Sequence, residues 1–338
     1  MAAETQSTVE LSSYRGKNVL VTGAGGFIGS HLAEACTALG ASVTAMVRYN
    51  SSSSWGMLER APKDVLARMR IVAGDIQDSD FVASVVAGQD IVFHLAALIA
   101  IPYSYVAPRS YVRTNVEGTL NVLEAARRSG ARVVHTSTSE VYGTALRVPI
   151  DEAHPLQGQS PYSASKIGAD KLAESYFLSF GVPVVTVRPF NTFGPRQSAR
   201  AFIPTVISQA LTRDVVELGS LDPERDMTYV SDTVDGFLHA GLATGIDGEV
   251  INLGTGATSS IGAIAGRILE LMQRDIPIVQ KAERVRPAAS EVLKLVSDNR
   301  KALRTMGWTP RTSLDDGLLK TIEYVGAHLG EFRSGYTV

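Results

Sequence analysis

Two residues four apart, Tyr162 and Lys166 in the run Pro161-Tyr162-Ser163-Ala164-Ser165-Lys166, set the first chemical expectation. On a helix they lie one turn apart on the same face. The Lys166 ammonium can then stabilise a Tyr162 phenolate and draw its pKa down toward neutrality. A phenol of that kind is a general base for a hydroxyl, which hydride abstraction from a carbinol requires. Upstream, Thr136-Ser137-Thr138-Ser139-Glu140-Val141-Tyr142-Gly143 adds a hydroxyl donor, Thr138, and a carboxylate, Glu140. Oxidation of a simple alcohol has no use for that carboxylate. Either it shapes the loop, or it points to a second, base-catalysed step.

A Tyr-x-x-x-Lys pair arises by chance in any long helix, so its weight depends on the elements around it. Asn18-Val19-Leu20-Val21-Thr22 reads as a short apolar strand, followed directly by Gly23-Ala24-Gly25-Gly26-Phe27-Ile28-Gly29 and a helical pattern from Ser30 to Leu39. Strand, glycine turn and helix form the context of a dinucleotide fingerprint. Gly23 allows the tight turn, Gly26 the close approach of a pyrophosphate, and Gly29 close helix–strand packing. The free N–H groups of the helix start would face the phosphates. Further strands are expected at Val43–Val47, Arg70–Ala73, Ile91–Leu95, Arg132–His135 and Val184–Val187. Helices are expected at Ser79–Val86, Tyr111–Ser129, Tyr162–Phe180, Pro204–Leu211 and Ile261–Met272, with short strands among the later elements. The alternation predicts a Rossmann-like α/β fold, a doubly wound parallel sheet covered on both faces. Its ligands would sit beyond the carboxyl ends of the strands, where Gly23, Asp75, Ala96 and Ser137 gather. The division expected is a disordered tail at 1–15, a dinucleotide-binding domain at 16–190 and a smaller α/β lobe at 191–338 over the cofactor.

Composition excludes several other classes. The chain has 338 residues, a formal net charge of −2 and 20% charged residues, so no basic footprint suggests nucleic acid. A single cysteine, Cys36, rules out a disulfide framework and fits a reducing cytoplasm. No apolar run reaches the roughly 18–20 residues of a membrane span, and the polar first dozen residues lack the apolar core of a signal peptide. The six histidines show no metal-ligand spacing, and no metal is expected.

Taken in order, the motifs resemble the extended short-chain dehydrogenase/reductases that act on nucleotide sugars. They are Gly23-x-x-Gly26-x-x-Gly29, Asp75-Ile76, His94-Leu95-Ala96-Ala97, Asn115, Tyr162-x-x-x-Lys166, Arg188-Pro189-Phe190-Asn191, Gly194-Pro195-Arg196, Arg225-Asp226-Met227-Thr228-Tyr229-Val230 and Asn252-Leu253-Gly254. Within that family the chain looks most like sugar-nucleotide 4,6-dehydratases, in particular those making legionaminic-type sugars from an N-acetylglucosamine nucleotide. Gln157-Gly158-Gln159-Ser160-Pro161-Tyr162 and the run Asn191 to Arg200 carry the narrower likeness.

The resemblance implies roles. Tyr162 would take the C4 hydroxyl proton while hydride leaves C4, and Thr138 would hold the same oxygen. Glu140 would then remove the acidified C5 proton, water would leave from C6, and the hydride would return to C6. Dehydratases of thymidine-linked glucose usually carry an acid where this chain has Ser139, so Glu140 would serve both steps or Ser139 would relay through water; dehydratases of GDP-mannose share the serine. The same triplet occurs in UDP-glucuronate decarboxylases, which are the main rival. A 4-epimerase needs no C5 base, and a non-catalytic dinucleotide sensor needs neither Tyr162 nor Lys166. Cofactor contacts are expected from Gly23, Gly26, Phe27, Ile28, Gly29, Arg48, Asp75, Ile76, Leu95, Ala96, Ala97, Asn115, Tyr162, Lys166 and Pro189. The second strand ends at Arg48 with no acid, which leaves NAD or NADP open; the cofactor would be tightly bound and recycled. Substrate contacts are expected from Tyr103, Asn191, Arg196, Arg225, Asn252 and Arg286, the arginines serving as forks for the diphosphate. The family commonly forms homodimers.

Overall fold

The computed structural model describes residues 9–281 and 291–332. Its large sheet comprises β1 (Asn18–Thr22), β2 (Ser42–Arg48), β3 (Arg70–Gly74), β4 (Ile91–His94), β5 (Arg132–Thr136), β6 (Val184–Pro189) and β7 (Val250–Leu253). They lie in the order β7-β6-β5-β4-β1-β2-β3, and every pairing is parallel. Strands covered on both faces must be apolar throughout. Val19, Leu20 and Val21 are accordingly all fully buried. Alternation sends Val19 and Val21 to one core and Leu20 to the other.

Eight longer helices cover the sheet and build the rest of the chain: α1 (Phe27–Ala38), α2 (Ser79–Val86), α3 (Gly118–Ser129), α4 (Pro161–Phe180), α5 (Phe202–Thr212), α6 (Val230–Leu242), α7 (Ile261–Leu271) and α8 (Leu314–Ala327). Leu32 and Ala33 of α1 join Phe237 and Leu238 of α6 in one core. Val82, Val122, Ala126 and Ala173 bring α2, α3 and α4 to the other. The doubly wound α/β fold expected from the sequence is the fold observed.

Local signals fix the ends of α4 closely. Ser160 and Ser163 cap one another reciprocally, Pro161 opens the first turn, and Gly181 closes the helix at φ +67°. The helix expected over Tyr111–Ser129 is instead interrupted, with a short turn at Pro108–Tyr111, a π-helical stretch at Val112–Glu117, and then α3. Such bulges often mark functional positions. Here the bulge carries Asn115.

Two features bear on how the chain divides. Residues 1–8 lie outside the described residues, but Leu11–Tyr14 forms a helical turn within the stretch expected as a tail. Tyr14 is fully buried and its hydroxyl donates to Leu238 O at 2.8 Å, which anchors the segment on α6. Beyond residue 190, β7 extends the large sheet and α6 covers its face, so the later half contributes directly to the dinucleotide-binding layer. The sequence pattern of Val230-Ser231-Asp232-Thr233-Val234 is poor in strong helix formers, and burial against α1 overrides that weak propensity.

Gly29 of α1 lies hard against the backbone of the glycine turn. A Cβ there would lie 2.2 Å from Gly23 O, a backbone atom that cannot swing aside. Gly29→Ala should therefore cost about 1–3 kcal/mol, the usual range for overpacking. Urea unfolding should show a lowered midpoint, and an unchanged midpoint would contradict this packing account.

Candidate active site

The sheet changes winding direction between β1 and β4, and α/β sheets bind ligands at that crevice. Gly23 follows β1 at φ +71°, and a Cβ on it would meet Ala96 N at 2.8 Å. Thr22 holds the facing loop in place, because its Oγ1 accepts from both Leu95 N and Ala96 N at 3.1 Å. Gly26 precedes α1, whose first turn no side chain caps. The N–H groups of Phe27, Ile28 and Gly29 therefore open a helix dipole toward the crevice. Bare glycine backbone, an uncapped helix start and close-set strand ends fit a dinucleotide pyrophosphate.

Tyr162 and Lys166 stand one turn apart on α4, both deeply buried. The Tyr162 ring packs edge-on against Tyr111, with centroids 6.2 Å apart, and Tyr111 in turn packs against Tyr103. The expectation that Lys166 lowers the Tyr162 pKa is not what the structure shows. Burial pushes the phenol well above its ordinary value, a hydrogen bond from Thr138 works the other way, and the Glu140 charge adds to the rise. The Lys166 ammonium is not among the larger influences on it. Its own ammonium falls to about 8 through burial, with the Asp170 carboxylate resisting the drop. Thr138 and Glu140 are thus both felt at the phenol oxygen, while Ser139 is buried beside them. The Glu140 side chain has no hydrogen-bond partner among the described residues.

Behind these groups runs a polar network that sequence reasoning did not identify. Asp170 Oδ2 accepts from Ser137 Oγ at 2.7 Å and from Arg188 Nη2 at 2.9 Å, while Oδ1 pairs with His135 Nε2 at 3.1 Å. Burial would raise this carboxyl, yet the His135 hydrogen bond and the Arg188 charge hold it down at about 2. Arg188 Nη1 donates to the Tyr142 hydroxyl at 2.9 Å, and Tyr142 donates to Asn252 Oδ1 at 2.7 Å. The available signal was the spacing of Tyr162, Lys166 and Asp170, three chemical side chains at successive i+4 positions of one helix.

The remaining expected residues divide by position. Leu95, Ala96 and Ala97 line the β4 exit, Pro189 ends β6, and Arg48 ends β2 exposed to solvent. Asp75 is exposed and its carboxylate caps Gln77 N at 3.0 Å, while Ile76 is buried against α3 at Gly118. Asn115 clasps the loop after β4 through Leu98 N and O and reaches Ser165 Oγ, which makes it a brace for the cofactor crevice. Asn191 Oδ1 is buried with no partner among the described residues, as a ligand-facing amide would be. Arg225 is buried and bonds Glu224 O and Glu291. Arg196 is committed to Glu34 of α1 at 2.8 Å, and Asn252 has its amide engaged by Tyr142 and by Ile150 O in the interior. Arg286 lies outside the described residues.

A family model described as GDP-mannose 4,6 dehydratase matches residues 20–321. The dTDP-glucose 4,6-dehydratase of Streptomyces griseus is 35% identical over 318 residues, covering 92% of this chain and 94% of that protein. The UDP-glucose 4-epimerase of Mycolicibacterium smegmatis is 32% identical over 316 residues, covering 90% and 97%. A double mutant of the dTDP-glucose 4,6-dehydratase of Streptomyces venezuelae, solved with NAD bound, superposes with a TM-score of 0.84 at 29% identity, covering 92% of this chain and 98% of that one. The chain belongs to this family of extended short-chain dehydrogenase/reductases, the NAD-dependent nucleotide-sugar dehydratases and epimerases.

The Lys166 value gives a signed expectation. A lysine is charged below its pKa and neutral above it, so dinucleotide affinity that draws on the ammonium should weaken as pH rises through about 8. Titration calorimetry from neutral to alkaline pH should show that fall in the wild type and its loss in Lys166→Met. A pH-dependence preserved in Lys166→Met would remove the role given to the ammonium.

Proposed function

We propose that the protein is a nucleotide-sugar 4,6-dehydratase acting on an N-acetylglucosamine nucleotide. The observation that carries the dehydratase part of this reading is Glu140, a carboxylate placed close enough to act on the Tyr162 phenol and free of hydrogen-bond partners among the described residues; the N-acetylglucosamine part rests on the sequence resemblance alone. An enzyme that only oxidised and re-reduced C4 would gain nothing from an anion that raises the pKa of its own base.

NAD, when bound over the glycine turn, supplies the hydride acceptor for C4 and the hydride donor for C6. The chain's own groups do the rest. Tyr162 accepts the C4 hydroxyl proton, and Thr138 donates to the same oxygen. Lys166 presents its ammonium to the dinucleotide ribose and favours the phenolate once the pocket is filled. The ketone at C4 acidifies C5, and Glu140 removes that proton. With Ser139 too weak an acid to protonate the leaving hydroxyl, Glu140 returns its proton there, and C5 regains a proton from solvent as hydride reaches C6, balanced by the proton that Tyr162 gives back to solvent. Asn191 and Arg225 serve the nucleotide diphosphate and sugar, with Arg286 the further arginine expected from the sequence.

A 4-epimerase remains the second reading, favoured by the 32% identity to the Mycolicibacterium enzyme. Mass spectrometry of products from UDP-, GDP- and dTDP-linked hexoses and N-acetylhexosamines separates the two. Loss of one water supports dehydration, whereas an isomer of unchanged mass supports epimerisation and loss of carbon dioxide supports a decarboxylase. Tyr162→Phe should lower turnover by ~10²-fold or more, the contribution of a general base. Glu140→Gln should still oxidise C4 and accumulate reduced cofactor without releasing water. Full dehydration by Glu140→Gln would sink the assignment.

A further inference from the structure

The loop that carries Thr138, Ser139 and Glu140 is tied down at both ends through one carboxylate. At its start, Ser137 Oγ donates to Asp170 Oδ2. At its end, Tyr142 accepts from Arg188, whose other nitrogens donate to that same oxygen. Asp170 also sits four residues beyond Lys166 on α4, so helix and loop are referenced to a single buried group. We propose that Asp170 is the positioning residue of this site: it fixes the Thr138–Glu140 loop against the helix bearing Tyr162 and Lys166, and supplies the counter-charge of the Lys166 ammonium. The proposal rests on the nucleotide-sugar reading of the same site and deepens it.

The surroundings of Lys166 support the second role. His94 of β4 and His135 of β5 face it, and burial lowers the pKa of both, so they meet the ammonium as neutral rings. Arg188 of β6 pairs with Asp170 at 2.9 Å. Asp170 is the charge that favours the protonated lysine there. Its acceptor capacity is filled by Ser137, His135 and Arg188, which fixes the carboxylate in one orientation.

Two variants test the two halves. Ser137→Ala cuts the loop tether and leaves the Asp170–Arg188 pair intact. It should lower kcat by ~10-fold with KM little changed, as expected when reacting groups lose alignment. Backbone amides of residues 138–142 should exchange faster while the thermal midpoint holds. Asp170→Asn should move the alkaline limb of the kcat–pH profile to lower pH, because Lys166 loses the charge that raises its pKa. Wild-type kcat and loop exchange in Ser137→Ala, or an unmoved limb in a folded Asp170→Asn, would overturn the proposal. If Asp170→Asn does not fold, Ser137→Ala decides alone. A wild-type protein inactive on every nucleotide hexose would defeat the functional reading, and the exchange measurement, which needs no substrate, would still decide this one.

Discussion

A buried ammonium is costly unless charge and hydrogen bonds are arranged around it. Lys166, 4% exposed, imposes that condition on everything nearby. Asp170 supplies the opposite charge, and Arg188 in turn balances Asp170. The two histidines adjacent in β4 and β5, with rings 5.9 Å apart, stay neutral and add no further cation. Ser137 and Tyr142 complete the shell, and between them they bracket the loop with Thr138 and Glu140. The electrostatics of one lysine thus set the geometry of the loop expected to do the chemistry.

The parallel sheet makes this arrangement reachable. Because β1, β4, β5 and β6 run the same way, their carboxyl ends deliver Gly23, Ala96, Ser137 and Pro189 to one rim. The reversal of winding between β1 and β4 opens the crevice there, and Thr22 holds its two sides at a spacing only glycine at position 23 tolerates. Reciprocal capping by Ser160 and Ser163 fixes where α4 begins, hence the height of Tyr162 above the rim. Tyr111 then packs on the phenol from the side.

What the sequence disclosed was local. The glycine turn, the apolar strands and the Tyr162–Lys166 spacing each depend on neighbours within a few residues, and the strand positions agree within two residues of those observed. Relations across long separations were hidden. Nothing near Asn252 signals that its amide is engaged by Tyr142, 110 residues away, or that Arg196 pairs with Glu34 across 162. The pKa expectation for Tyr162 failed for a related reason. Spacing fixes how close a cation can come, while the depth of burial that outweighs it belongs to the assembled fold. Helix α6 and strand β7 were missed because their place is decided by packing on α1 and β6.

In the proposed reaction Tyr162 and Glu140 act in succession on one hexose. Its most direct test is the fate of deuterium placed at C4 of the nucleotide sugar that the protein consumes, followed by NMR of the product. The label is expected at C6 of a 4-keto-6-deoxy sugar. Label returned to C4 of a hexose of unchanged mass, or released in free reduced cofactor, would contradict it.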